Sequence, residues 1–175
     1  RFRKSTSRAT ISAETWRLLL SGPGRGYNFL KRTLATDLAN AHTVRIICAY
    51  FLPTWRLRRE LERVVRRGGR VQLILAGKSD VRLSQLASQR LYRHLLKRGL
   101  EIYEYQPQVL HAKLIVMDDI VFVGSSNLDP RSLRINFEVM LRIEDAALAA
   151  TAREQFEADL AQRAIPITRD ALQQG

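Results

Sequence analysis

Residues 111–138 read HAKLIVMDDIVFVGSSNLDPRSLRINFE, and no other stretch constrains the chain as tightly. Two short apolar runs, 113–117 and 120–123, are separated only by Asp118 and Asp119. Two β-rich runs joined by an acidic turn predict a hairpin. Side chains two apart on a strand share a face, so His111 and Lys113 are expected on one side of the first strand. Gly124 is expected to let the backbone bend sharply where the second strand ends, with Ser125 and Asn127 offering small polar groups there. Asp118 is expected to brace the hairpin through backbone hydrogen bonds rather than touch a ligand. Glu138 returns on a later strand, where an acid is costly unless paired, and an imidazole is the expected partner.

An imidazole, an ammonium, a hydroxyl and an amide on one face suit a phosphodiester. A neutral imidazole nitrogen can attack phosphorus and form a phosphoryl-histidine. Lys113 and Asn127 would hold the non-bridging oxygens through the transition state, with Ser125 beside them. Glu138 would accept from the other imidazole nitrogen and fix its tautomer. The scheme needs no metal and no redox cofactor, and one cysteine with three scattered histidines offers no ligand cluster.

The pattern His111-x-Lys113-x4-Asp118 followed by Gly124-Ser125-x-Asn127 resembles the HKD motif of the phospholipase D superfamily. Residues 127–132, NLDPRS, and Asn136-x-Glu138 resemble more narrowly the cardiolipin synthase branch. Similar stretches of those enzymes correspond to Ser21-Gly22-Pro23, Ala49-Tyr50-Phe51-x-Pro53, Gly77-Lys78-Ser79-Asp80 and Tyr103-Glu104-Tyr105. Five residues separate Asp118 from Gly124, one fewer than the family's usual spacing. The resemblance implies a phosphatidyl transfer between phosphatidylglycerol molecules at the cytoplasmic side of the bacterial inner membrane, with the protein peripheral to it. It also implies two HKD motifs per active site, one histidine as nucleophile and the other as general acid. Only His111 stands in such a motif, since His42 and His94 lack the setting, and no internal repeat is visible. The chain therefore reads as one half of an active site. It resembles the C-terminal half of a cardiolipin synthase-like enzyme, which implies completion by a second half-domain in cis or by another copy.

The length of 175 residues suits one domain with a core of its own. The single cysteine, Cys48, sits in an apolar run and reads as a buried small hydrophobe, and nothing suggests a disulfide framework. No apolar run approaches the roughly 20 residues needed to cross a bilayer. Beginning at Arg1 rather than Met, with no signal peptide apparent, the sequence reads as an excised or processed segment. The formal charge is +12, from 29 basic and 17 acidic residues. Seven arginines crowd residues 56–70 with only Glu60 and Glu62 among them, and five basic residues between Arg82 and Arg98 have no acid. Such patches attract phosphate-rich partners, either anionic lipid surfaces or nucleic acid.

The remaining elements follow from periodicity and breakers. Residues 1–13 lack periodicity and read as a linker or edge segment, and 14–175 as the single domain. Residues 15–21 predict a strand ended by the turn Gly22-Pro23-Gly24-Arg25-Gly26. Leu30, Leu34 and Leu38 mark one helix face. Buried strands are expected at 44–49 and 71–76, the first leading into Tyr50, Phe51 and Pro53. Between them lies a helix with the stripe Leu57, Leu61, Val64 and Val65, stopped by Gly68 and Gly69. Gly77-Lys78-Ser79 lacks the first glycine of a P-loop and reads as a helix-capping loop. Residues 83–98 predict a helix with Leu83, Leu86, Leu91 and Leu95 inward, a surface His94, and Gly99 as its stop. A strand is expected at 100–105 and another at 137–143. Asp145 then caps a helix striped by Leu148, Ala152, Phe156 and Leu160. Strands alternating with helices indicate an α/β domain, with the hairpin making the sheet mixed.

Two other functions fit the same residues. A nuclease or general phosphodiesterase of the superfamily, paired as a homodimer, matches the basic charge equally well. A catalytically silent half that binds anionic lipid or a protein partner is the third, with the intact motif counting against it.

Overall fold

A computed structural model describes residues 10–23, 29–77, 82–106 and 109–172. The apolar runs become β3 (Thr43–Cys48) and β4 (Arg70–Ala76), parallel neighbours, with β5 (Glu101–Tyr105) parallel beyond β4. On the other side of β3 lies the predicted hairpin, β6 (Lys113–Met117) and β7 (Ile120–Gly124). Next come β8 (Glu138–Glu144), β2 (Trp16–Ser21) and β1 (Thr10–Ser12), all antiparallel. A short strand β9 (Ala164–Pro166) pairs antiparallel with β5. The nine-stranded mixed sheet has the order β1-β2-β8-β7-β6-β3-β4-β5-β9.

Helices cover both faces, as the α/β expectation requires. On one face α1 (Phe29–Asn40) buries Leu30, Leu34 and Leu38, and α2 (Trp55–Arg66) buries Leu61 and Val64. They pack with Leu95 of α3 (Arg82–Lys97) against Val44, Ile46, Val71, Leu73, Ile115 and Phe122. On the other face α5 (Ala146–Arg163) sets Ala149 and Phe156 over Val116, Val121, Ile47 and Ile74. Asp145 caps α5 as expected, its carboxylate accepting from the Leu148 amide at 2.8 Å. The stripe differs by one position. Leu148 is exposed and Ala149 takes the buried place against Val116 and Val121.

Other differences have local causes. His94 is not simply a surface residue, since its ring lies 2.8 Å from Glu62, which also faces Arg58 and Arg98. The arginines of 56–70 do not form one patch. Arg67 donates to the carbonyls of Leu38 and Ala41 at the end of α1, Arg70 makes a bidentate pair with Glu101, and Arg63 pairs with Glu60. Strand β9 was not legible, being three residues with a proline that only a sheet edge accepts. The side chains of Leu83 and Leu86, residues 24–26 of the predicted turn and the loop at 78–80 lie outside what the structure describes.

Two of the hairpin residues are structural. Asp118, at a positive φ of 48°, turns its carboxylate away from its own hairpin onto the start of β3. It accepts from the amides of His42 (2.9 Å) and Thr43 (2.8 Å) and from the Thr43 hydroxyl (2.9 Å). Burial pushes this carboxyl up, but those three donors outweigh it and leave it below the usual range. Gly124 does not supply a bend. It is the last paired residue of β7, opposite Met140, and it permits close approach: a Cβ there would stand 2.1 Å from the Val139 carbonyl and 2.9 Å from the Met140 Cα. Even with the short Asp118–Gly124 spacing, the ladder puts Gly124 on the Lys113 side of the sheet, since Leu114 faces Val123.

The backbone atoms facing Gly124 cannot yield cheaply, so Gly124→Ala should cost roughly 1–3 kcal/mol in urea unfolding, toward the upper end. A lowered folded-state pKa means Asp118 contributes stability above the ordinary carboxylate range, and that contribution fades as pH falls through the folded value. Asp118→Asn should therefore weaken the protein near neutrality and flatten the loss of stability between about pH 5 and 2, followed by urea midpoints across that range.

Candidate active site

The sheet register gathers one end of five strands. Cys48 at the end of β3 faces Lys113 at the start of β6, and Gly124 at the end of β7 faces Met140. Ser21 at the end of β2 faces Glu138 at the start of β8. The edge where the parallel strands finish thus collects Lys113, Ser125, Asn127 and Glu138, with His111 on its rim. Asp118 sits at the opposite end of β6, a strand length of about 17 Å away, and cannot share a ligand with them.

His111 and Lys113 do not stand on one strand. Strand β6 begins at Lys113 because β3, its partner, has ended at Cys48, so residues 109–112 have no strand partner among the described residues. His111 lies exposed in the preceding loop, while the Lys113 side chain is buried and its Nζ donates to the His111 carbonyl at 2.7 Å. That bond fixes the backbone from which the imidazole projects. Beneath Lys113 lies Cys48, whose thiol burial pushes up to about 12, so it stays protonated and packs as a hydrophobe.

Glu138 is buried, and its donors are not the expected ones. Ser125 Oγ donates to one carboxylate oxygen and Asn136 Nδ2 to the other at 3.2 Å. Among the described residues, the His111 ring makes no hydrogen bond to it. The reason is topological: β7 lies between β6 and β8, so the two residues start about 10 Å apart. Ser125, one residue past β7, is next to Glu138, and its Oγ also accepts from the Val139 amide at 3.0 Å. A buried carboxylate with two donors is a satisfied group.

Asn127 is held from across the cleft. Its Oδ1 accepts from the Tyr50 amide at 3.4 Å, and the neighbouring Leu52 amide donates to the Leu128 carbonyl at 3.0 Å. These bonds join the loop after β3 to the loop after β7 and leave the Asn127 Nδ2 as the group that can donate outward. The chain then enters α4 (Pro130–Arg134), capped by Asp129, whose carboxylate accepts from the Ser132 amide at 2.8 Å. Asp-Pro is the local signal for this helix start, the carboxylate capping the free amides and the proline fitting the first turn. Arg131 is exposed on this helix. Ser21, placed by sequence only before a turn, faces Glu138 with its hydroxyl buried and unpartnered among the described residues.

The family model described as "Cardiolipin synthase, PLD-like domain" matches residues 34–160. Cardiolipin synthase B of Salmonella typhi is 41% identical over 115 residues, 65% of this chain and 28% of that protein. The Escherichia coli (strain K12) cardiolipin synthase B is 39% identical over 119 residues, 67% of this chain and 29% of that protein. The chain thus spans less than a third of the length of these relatives. Among solved structures, a phospholipase D family member, Nuc from Salmonella typhimurium, superposes with a TM-score of 0.74 at 16% identity, covering 87% of this chain and 97% of that one. Phosphatidylserine synthase of Haemophilus influenzae superposes at 0.71 and 17% identity, covering 87% of this chain but only 40% of that one. With a family model spanning most of the sheet and the motif residues gathered at one edge of it, this chain belongs to the phospholipase D-like family of the cardiolipin synthases.

Proposed function

We propose that the chain is one half of a phosphatidyltransferase site that joins two phosphatidylglycerol molecules. The observation that carries this reading is the gathering of Lys113, Ser125 and Asn127 at the sheet edge beside an imidazole with no hydrogen-bond partner among the described residues, together with relatives named as cardiolipin synthases. A neutral His111 nitrogen attacks phosphorus, and the bond from phosphorus to the glycerol headgroup oxygen breaks. That oxygen leaves as free glycerol after taking a proton from the histidine of a second half. A hydroxyl of the second phosphatidylglycerol then attacks the phosphohistidine, returns its proton to the second histidine, and releases His111. Lys113 and Asn127 hold the non-bridging oxygens in both steps, since the one Ser125 proton is already given to Glu138. Glu138 and Ser125 stand as a fixed pair at the edge of the site, and Glu138 acts as a positioning residue.

The second half has a surface to occupy. The sheet face opposite α1 and α2 carries Leu18, Leu20, Leu141 and Ile143 on β2 and β8, with Trp16, Val123 and Val139 exposed. The contacts of α5 are to β3, β5, β6, β7 and β9. An apolar face of this kind beside an incomplete site is where another half-domain, in cis or from a second copy, would bury it.

A homodimeric phosphodiesterase acting on nucleic acid is the second reading. It is favoured by the charge of +12 and by the near-complete span of the Nuc chain, where one such unit makes up the whole chain.

In an assembly carrying both halves, His111→Ala should lower cardiolipin formation from phosphatidylglycerol by roughly a thousandfold or more with the fold unchanged by circular dichroism. Retained turnover would remove His111 from the chemistry. The nucleic-acid reading predicts that the logarithm of DNA affinity falls linearly with the logarithm of salt, together with DNA cleavage that His111→Ala abolishes.

A further inference from the structure

Beside the site lies a groove of about 840 Å³ between α1, α2 and α4. Among the described residues its charged lining is one-sided: Lys31, Arg32, Arg56, Arg59, Arg63 and Arg134 against one acid, Glu60, which Arg63 already holds at 2.6 Å. Trp55, the first residue of α2, stands at its rim 59% exposed, with the Arg59 guanidinium 4.9 Å from its ring centre. Ile135, which caps the end of α4, is also exposed. The two walls continue the loops that frame the site. One runs from Tyr50 to Trp55 and the other from Asn127 into α4, and the Tyr50–Asn127 and Leu52–Leu128 bonds join them.

Such a lining fits a particular kind of partner. Crowded cations destabilise one another, and the Lys31 ammonium is held below its usual range by burial and then by the Arg134 guanidinium. An anion entering the groove relieves that repulsion. A tryptophan exposed beside arginines matches the headgroup layer of a bilayer, where indole rings settle and guanidinium groups meet phosphates. A nucleic acid would use the charge and could stack a base on Trp55, but the exposed aliphatic Ile135 beside it favours a surface with apolar depth. The groove lies on the helix-covered side of the sheet, away from the apolar face offered to a second half, so both can be occupied together.

We propose that the α1–α2–α4 groove docks the protein on the phosphate headgroups of an anionic bilayer, with Trp55 seated in the headgroup layer beside the active-site mouth. This deepens the lipid reading of the site and rests on it for the choice of a bilayer. The surface accounts for how a lipid bearing two acyl chains reaches a polar sheet edge: the protein lies on the membrane and takes the headgroup from the side.

The test is sedimentation of the full chain with phosphatidylcholine vesicles, with and without phosphatidylglycerol. The expected result is binding only when phosphatidylglycerol is present. Arg56→Gln/Arg59→Gln should then bind about thirtyfold more weakly, which is two charges at about 1 kcal/mol each. Arg17→Gln/Arg66→Gln, with the same net charge but outside the groove, should lose less than about threefold by the same reasoning. With Trp16→Phe leaving Trp55 as the sole indole, its emission should shift to the blue on phosphatidylglycerol vesicles. Equal losses in the two double variants would overturn the proposal, as would an unshifted Trp55 in vesicle-bound protein. Binding of DNA that needs Arg56 and Arg59, with no vesicle binding, would assign the groove to nucleic acid instead. Vesicle binding without any turnover by the completed assembly would sink the function and spare the groove. Turnover in detergent micelles with no vesicle binding would do the reverse.

Discussion

The register between the hairpin and its neighbours is the constraint on which the site depends. A slip of one residue would turn Lys113 from the α1–α2 side of the sheet to the α5 side and take Gly124 with it. The chain pins that register at both ends. At the far end the Asp118 carboxylate is bound to the amides of His42 and Thr43, where β3 begins, which sets β6 against β3. At the near end the missing Cβ of Gly124 lets β7 approach Val139 and Met140, which sets β7 against β8. Neither residue touches a ligand, yet both fix where the groups that can do so stand.

Within that frame the polar groups divide into those already satisfied and those left to act. Glu138 has its donors, Ser125 and Asn136, and the buried Lys113 holds the loop of His111. Side chains held this way are positioned before a ligand arrives, so less ordering remains to be done on binding. The Arg142 guanidinium repeats the principle deeper in the domain. It pairs bidentately with Asp37 and once with Glu144, tying α1 to β8 through a pair that is nearly buried on both sides. That tie holds α1, one wall of the basic groove, against the strand that carries Glu138.

Much of this was legible in the sequence because period and breakers agreed. The leucines of α1, the apolar runs of β3 and β4, the hairpin and the Asp145 cap each signal one element locally. What failed was longer-range. Which donor reaches Glu138 depends on β7 lying between β6 and β8, a fact of strand order that spacing does not carry. The role of Gly124 depends on a neighbouring strand rather than on its own torsion angles. The seven arginines of 56–70 read as a single patch until the fold assigned Arg67 to a helix end and Arg70 to Glu101. Of the rest, only Arg56, Arg59 and Arg63 line the groove.

Cys48 has a practical corollary. It is the chain's single thiol, fully enclosed beneath Lys113 and held protonated, so it resists alkylation while the fold persists. The protein is in effect a cysteine-free scaffold. A cysteine introduced at any exposed position would be the sole reactive handle for a spectroscopic probe, and labelling of Cys48 itself would report the loosening of the strand ends on which the site is built.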